Sequence, residues 1–225
     1  MNLSNPSASI YVPSGEPPEV ALPRITHLGI GAHQDDLEFM AFHGIEACYR
    51  QKEQWFGGIT CTNGAGSSRT GLYRDYSDAE MCEVRRHEQE QAAMVGEYAA
   101  MIQLDYASSS MKDASNPSPG EDLQAILEAT RPEVIYTHNL ADKHATHIAV
   151  TASVLKALRS LPPEARPQQV LGCEVWRGLD WMLDTDKTLL DVSERPNLAA
   201  AIGGIFDSQI AGGKRYDLAV QGRRL

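Results

Sequence analysis

Ile25-Thr-His-Leu-Gly-Ile-Gly31 is an apolar run that reads as a buried strand, and it ends directly in Ala32-His33-Gln34-Asp35-Asp36-Leu37-Glu38. Beyond it, Phe39, Met40, Phe42, Ile45 and Cys48 recur at helical spacing, so the strand at about 25–32 feeds a helix at about 37–51. In open α/β sheets ligands gather outside the carboxyl ends of the strands, which is where this histidine and two carboxylates stand. Imidazole and carboxylate three residues apart suit zinc and also accommodate iron(II) or manganese. If Asp36 binds a metal, Asp35 points elsewhere and is free to act as a base. The plainer alternative is that Asp35 and Asp36 merely cap the helix, because aspartate favours N-caps and the positive helix end. Glu38, in the first turn, either complements the helix dipole or supports a ligand from behind.

Working outward, strand and helix patterns alternate. Trp55–Cys61 reads as a second strand and runs into Asn63-Gly-Ala-Gly-Ser-Ser68, followed by a long helix near 78–96. Further strands are expected at 99–104, 134–137, 170–175 and 188–192, with helices near 121–130, 145–160 and 196–207. This alternation predicts an α/β, Rossmann-like, mostly parallel sheet with helices on both faces, in a single domain over 25–225. The Pro/Ser-rich residues 1–24 read as an N-terminal arm outside the core. The loop Gly64–Ser77 holds Arg69, Tyr73, Arg74 and Tyr76, which suit hydroxyl and carbonyl groups and would line or cover a pocket; an ordinary solvated loop is the alternative.

A second polar cluster follows the strand at 134–137. His138-Asn-Leu-Ala-Asp142-Lys-His144-Ala-Thr-His147 puts three histidines in one strand-to-helix loop, with His144 and His147 on one helix face. Such a cluster supplies the nitrogen ligand the first one lacks. It also has a plainer reading, histidines near a helix start with Thr146 as cap. Both clusters leave the same end of the sheet, and together they point to a metal-dependent hydrolase.

A net charge of −10 would repel a polyphosphate backbone, so nucleic acid and anionic membranes are excluded as partners. No apolar stretch is long enough for a bilayer, and the first residues lack a basic-then-apolar leader, so the cytoplasm is the expected compartment. Cys48, Cys61, Cys82 and Cys173 are scattered and read as reduced, mostly buried side chains. The partner is then a small molecule; homo-oligomerisation is compatible with the sequence but not specified by it.

Together these segments resemble the LmbE/PIG-L family of zinc-dependent deacetylases, which act on N-acetylglucosaminyl compounds. That family's strand into Ala-His-Pro-Asp-Asp is matched by Ala32-His33-Gln34-Asp35-Asp36, and its Thr-x-Gly loop by Thr62-Asn63-Gly64. An Arg-x-x-Glu helix is matched by Arg85-Arg-His-Glu88, a late His-Pro-Asp-His by His144-Ala-Thr-His147, and a Ser-Gln pair by Ser208-Gln209. The likeness runs from about Ile25 to Gln209. It implies that His33, Asp36 and His147 hold zinc, with iron(II) or manganese compatible with the same donors. It further implies that Asp35 is the general base, that His144 stabilises the oxyanion and is a candidate to protonate the leaving amine, that Arg85 contacts substrate and that Asp105 neighbours the site. The implied substrate is an amino-sugar conjugate.

Two positions depart from the family pattern. Gln34 replaces the proline, which should loosen the turn. Thr146 replaces an aspartate that would orient a histidine, and Asp142 or a backbone carbonyl is the expected stand-in partner for His144. Two rivals remain: a metal amidase acting on another sugar amide conjugate, which shares every metal residue, and a non-catalytic Rossmann-like sugar- or nucleotide-binding domain. The second requires Gly-x-Gly-x-x-Gly, and Gly29-Ile-Gly31 is followed by no third glycine in place.

Overall fold

The alternation of short strands and amphipathic helices resolves into one sheet. The structure is a computed structural model describing residues 1–175 and 177–224. Its strands are β1 (Ser9–Tyr11), β2 (His27–Gly31), β3 (Phe56–Thr62), β4 (Ala100–Tyr106), β5 (Val134–His138) and β6 (Gln169–Cys173), in spatial order β1-β4-β3-β2-β5-β6. All pairings are parallel except β1 on β4. The helices in chain order are α1 (Pro18–Ala21), α2 (Asp36–Met40), α3 (Phe42–Cys48), α4 (Asp78–Val95) and α5 (Ser108–Lys112). They continue with α6 (Ser118–Thr130), α7 (Ala145–Ser160), α8 (Pro196–Gly203), α9 (Asp207–Gln209) and α10 (Tyr216–Arg224).

Each face of the sheet carries its own core. Leu28 and Ile30 of β2 join Leu123, Ile126 and Leu127 of α6 and Val150 and Val154 of α7. On the other face Leu37, Phe42 and Ile45 join Phe56, Tyr98, Tyr136, Leu198 and Ile202. The intervening β2 positions on that second face are glycines. A Cβ on Gly29 would lie 2.8 Å from the Phe56 ring, and one on Gly31 3.0 Å from Cβ of Asp36. Only glycine lets α2 approach β2 this closely, and that approach seats Asp36.

The chain winds outward from β2 in one direction through β3 and β4 and returns to β5 and β6 on the other side. The strand order therefore reverses between β2 and β5, where a crevice opens at the carboxyl ends. The turns after β2 and β5 flank it.

Four sequence expectations are revised. The helix at about 37–51 is two helices, broken at Ala41, whose ψ of 17° leaves the helical region. The run at 188–192 forms no strand, and Leu189 is 84% exposed. Residues 196–207 hold the shorter α8, with α9 starting only at Asp207. The segment 1–24, expected outside the core, supplies β1 to the sheet edge and buries Leu22 among the α6/α7-side residues. Ser4 ties it down through Asp122, its N–H and hydroxyl donating at 2.7 and 2.8 Å. The four cysteines are unpaired, and no described helix is long and apolar enough to cross a membrane.

Candidate active site

The turn after β2 is held in an unusual backbone. Asp35 sits at φ 91°, a region that a residue with a Cβ rarely enters and that persists only where surroundings enforce it. Buried Gln89 of α4 provides one restraint, its Oε1 accepting the Asp35 N–H at 3.2 Å. The Gln89 amide in turn donates to Glu38 at 2.8 Å, and the Tyr98 hydroxyl donates to the same oxygen at 2.7 Å. Glu38 thus braces the turn from inside the core, and burial raises its carboxyl to about 7. Gln34 does not loosen the turn. Its amide donates to the Thr62 carbonyl at 2.9 Å and anchors the turn to the end of β3.

His33, Asp36 and His147 converge. His33 Nδ1 lies 3.3 Å from Asp36 Oδ2 and 3.3 Å from His147 Nε2, and His147 Nε2 lies 3.7 Å from Asp36 Oδ2. Ligands roughly 2.1 Å from a tetrahedral ion stand about 3.4 Å apart, so the donor spacing suits a first-row divalent metal. Asp36 Oδ2 also accepts the N–H groups of Ala32 at 3.0 Å and His33 at 2.7 Å, which fixes the carboxylate. Burial works to raise the Asp36 carboxyl, but His147 and His138 outweigh it and hold it well below the carboxylate range.

Asp142 has a different partner from the one expected. Its Oδ2 lies 2.9 Å from His147 Nδ1, while its Oδ1 accepts only the backbone N–H of His144, at 2.8 Å. The carboxylate therefore sets the tautomer of His147 and leaves Nε2 facing Asp36 and His33. The His144 Nδ1 has no hydrogen-bond partner among the described residues. Burial and the neighbouring imidazoles of His147 and His33 push His144 down to about 4, so its ring is neutral near pH 7. Thr146 makes no side-chain cap, since His144 is the N-cap of α7.

Asp35 faces the same crevice. Burial pushes its carboxyl up to about 6, against the opposing pull of Arg85. The Arg85 guanidinium lies 3.2 Å from Asp35 Oδ2 and 3.3 Å from Glu88 Oε2, and also donates to the Gln34 carbonyl and the Ser208 hydroxyl. At 1% exposure Arg85 lines the floor of the crevice, with its guanidinium on Asp35. The Arg-x-x-Glu and Ser-Gln motifs are one lock, because Glu88 accepts both the N–H and the hydroxyl of Ser208 at 2.7 Å. Asp105 is not brought in. It pairs with Arg86 at 3.0 Å outside the cleft lining.

The cleft over these groups encloses about 280 Å³. His33, Asp35, Asp36 and His144 line it, joined by Gln209 and by Lys214, which no motif singled out. Arg69, Tyr73, Arg74 and Tyr76 do not line it. The loop contributes Gly64, Gly66 and Ser67 instead, and Tyr73 donates to Asp207 at 2.7 Å, pinning the C-terminal segment. His138 is the third histidine of the second cluster, and no motif in the sequence assigns it a role. It is fully buried, accepts the Ala32 N–H at 2.9 Å and stacks on His147 at 3.8 Å, packing behind the site rather than lining the cleft. Asp36, His138 and His147 form a second metal-competent set, as do His33, His144 and His147.

Residues 28–158, which contain both histidine clusters, match the family model for GlcNAc-PI de-N-acetylase, PIG-L. The chain belongs to this family. Among solved structures it is similar to the conserved protein TT1542 from Thermus thermophilus, with TM-score 0.64 and 18% identity over 89% of this chain and 87% of that one. It is also similar to the N,N'-diacetylchitobiose deacetylase from Pyrococcus horikoshii (TM-score 0.62, 16% identity, 81% and 70% covered). A third is the 4-carboxy-2-hydroxymuconate hydratase GalB from a pseudomonad (TM-score 0.64, 15% identity, 88% and 84% covered). At such identities the likeness is one of fold, and a fold shared by deacetylases and a hydratase leaves the reaction to the site. No curated protein sequence matches the chain.

Proposed function

We propose that the chain is a metal-dependent hydrolase that removes the acetyl group from an N-acetylglucosaminyl-type conjugate. The observation that carries this reading is the convergence of His33, Asp36 and His147, with the buried Asp35 carboxylate beside them and His144 on the same cleft. His33, Asp36 and His147 would hold the ion; zinc is proposed, and iron(II) or manganese fit the same donors. When bound, such an ion polarises the amide carbonyl and acidifies the attacking water.

Asp35 takes a proton from that water as its oxygen bonds to the amide carbon. A carboxyl near pH 6 is poised for this, basic enough to accept the proton and acidic enough to return it. Arg85 fixes its orientation without leaving the floor of the cleft. The neutral His144 donates a hydrogen bond to the oxyanion as the carbonyl becomes tetrahedral. As the C–N bond breaks, the proton held by Asp35 passes to the departing amine, and acetate and free amine leave.

The test is acetate release from a panel of N-acetylglucosaminides by the metal-loaded protein, beside its Asp35→Asn variant. Loss of the base should cut turnover on the order of a hundredfold or more with metal content unchanged. An Asp35→Asn protein as active as the parent removes Asp35 as base, and no acetate from any panel member removes the deacetylase reading.

A further inference from the structure

The cleft holds two cationic side chains that the proposed chemistry does not use. Asp36 is engaged by histidines, and Arg85 stands between Asp35 at 3.2 Å and Glu88 at 3.3 Å. Lys112, the last residue of α5, and Lys214 also line the cleft. Both are exposed in part, and neither makes an ion pair among the described residues. Lys214 shares its cleft lining with His33, Asp35, Asp36 and His144. In a chain of net charge −10, two lysines that line one cleft without an ion pair among the described residues stand ready for an anionic ligand.

The backbone that presents Lys214 is specifically built. Residues Ile210–Lys214 form a single wide turn in which Gly213 takes φ 100°, and a Cβ there would meet the Thr70 hydroxyl at 2.9 Å. The loop after β3 grips this turn: Ser68 donates to the Gly212 carbonyl at 3.2 Å and Thr70 to the Ala211 carbonyl at 3.3 Å. The Lys214 ammonium stands 5.3 Å from the Tyr216 ring, which lines the same cleft. Ser67 and Ser108 add two hydroxyls to the lining.

We propose that this cleft selects substrates bearing an anionic group, a carboxylate or a phosphate, which Lys112 and Lys214 bind while the amide lies at the metal-competent residues. Ammonium groups are point-charge donors that serve either anion, and the serine hydroxyls complete its hydrogen bonding. The inference rests on the deacetylase reading for the bond that is cleaved, but not for the group that is bound.

Three probes separate the possibilities: N-acetylglucosamine, N-acetylglucosamine 6-phosphate and N-acetylmuramic acid, which are neutral, phosphate-bearing and carboxylate-bearing. Each is assayed for acetate release and, independently, for binding by calorimetry to the metal-loaded protein. At least one anionic probe should bind with a Kd about tenfold lower than the neutral sugar's, and show a kcat/KM about tenfold higher where it is cleaved, the scale of two partly exposed charge contacts. The preferred anion tells phosphate from carboxylate. The advantage should shrink as ionic strength rises from about 0.05 M to about 0.5 M. It should collapse in the Lys112→Met/Lys214→Met protein and return in Lys112→Arg/Lys214→Arg. Lysine-dependent anion binding without acetate release would uphold the inference and sink the deacetylase reading. Acetate release with equal binding of all three probes, or an anion preference that survives the double methionine variant, would overturn it.

Discussion

Asp142→Asn isolates the contact that the sequence assigned to the wrong histidine. Asp142 is buried, and its two oxygens accept from two donors, the ring N–H at His147 Nδ1 at 2.9 Å and the backbone N–H of His144 at 2.8 Å. Asparagine has the same shape but only one acceptor oxygen. If that oxygen keeps the His144 N–H, the amide nitrogen faces His147 and demands an acceptor, so the imidazole must place its proton on Nε2. That is the nitrogen facing His33 at 3.3 Å and Asp36 at 3.7 Å, and a protonated Nε2 cannot bind a metal. If the oxygen turns to His147 instead, the His144 N–H loses its partner and the start of α7 loosens. Either way the ligand set is degraded. Removing such a carboxylate partner typically weakens metal affinity by about 10–100-fold, or roughly 1.4–2.7 kcal/mol. Competition with a chelator of known affinity measures this directly, and circular dichroism checks that the fold persists. A folded Asp142→Asn protein with parental metal affinity would refute the assignment of Asp142 to His147.

Three further substitutions probe separate parts of the account. His144→Ala should retain metal while turnover falls about 100–1,000-fold, the usual loss for one oxyanion donor; a chelator titration that moves instead would make His144 a ligand. Gln89→Leu leaves the buried Asp35 N–H and Glu38 without their amide, costing roughly 1–3 kcal/mol of stability and lowering kcat more than metal affinity. A parental melting temperature and kcat would show that Gln89 is not what holds the Asp35 turn. Gly44→Ala, on α3, drives a methyl to 2.6 Å from the Tyr136 ring. Overpacking of this kind costs about 1–3 kcal/mol, so the melting temperature should drop by several degrees, and an unchanged value would mean that Tyr136 can move aside.

What could be read from the sequence was local. The β2 strand with its turn and the His144/His147 pair are contiguous patterns, and the mostly parallel sheet follows from strand–helix alternation, whereas the placement of β5 beside β2 does not. What escaped depends on contacts across the fold. The break at Ala41 carries no proline or glycine, and Phe39, Met40, Phe42 and Ile45 keep helical spacing straight through it. The run at 188–192 has strand composition but finds no neighbouring backbone to pair with. Ser9–Tyr11 is too short to show alternation between its flanking prolines, so β1 was read as part of an arm. Arg85 is a substrate contact only by the family resemblance, and its sequence neighbourhood gives no sign of its burial. Its burial under Asp35 follows from Glu88 and Ser208, which lie 120 residues apart in the chain. Lys214 belongs to no motif, and only the wide turn at 210–214 delivers it to the cleft.

The central claim is that His33, Asp36 and His147 together hold one divalent ion. The most direct measurement is metal stoichiometry after reconstitution with zinc and removal of excess, by elemental analysis, for the parent protein and for His33→Ala, Asp36→Ala and His147→Ala. The account predicts about one ion per chain in the parent and a strong loss in each variant, while Asp35→Asn stays near one. A parent that retains no metal, or a His147→Ala protein that holds it as well as the parent, would contradict the account.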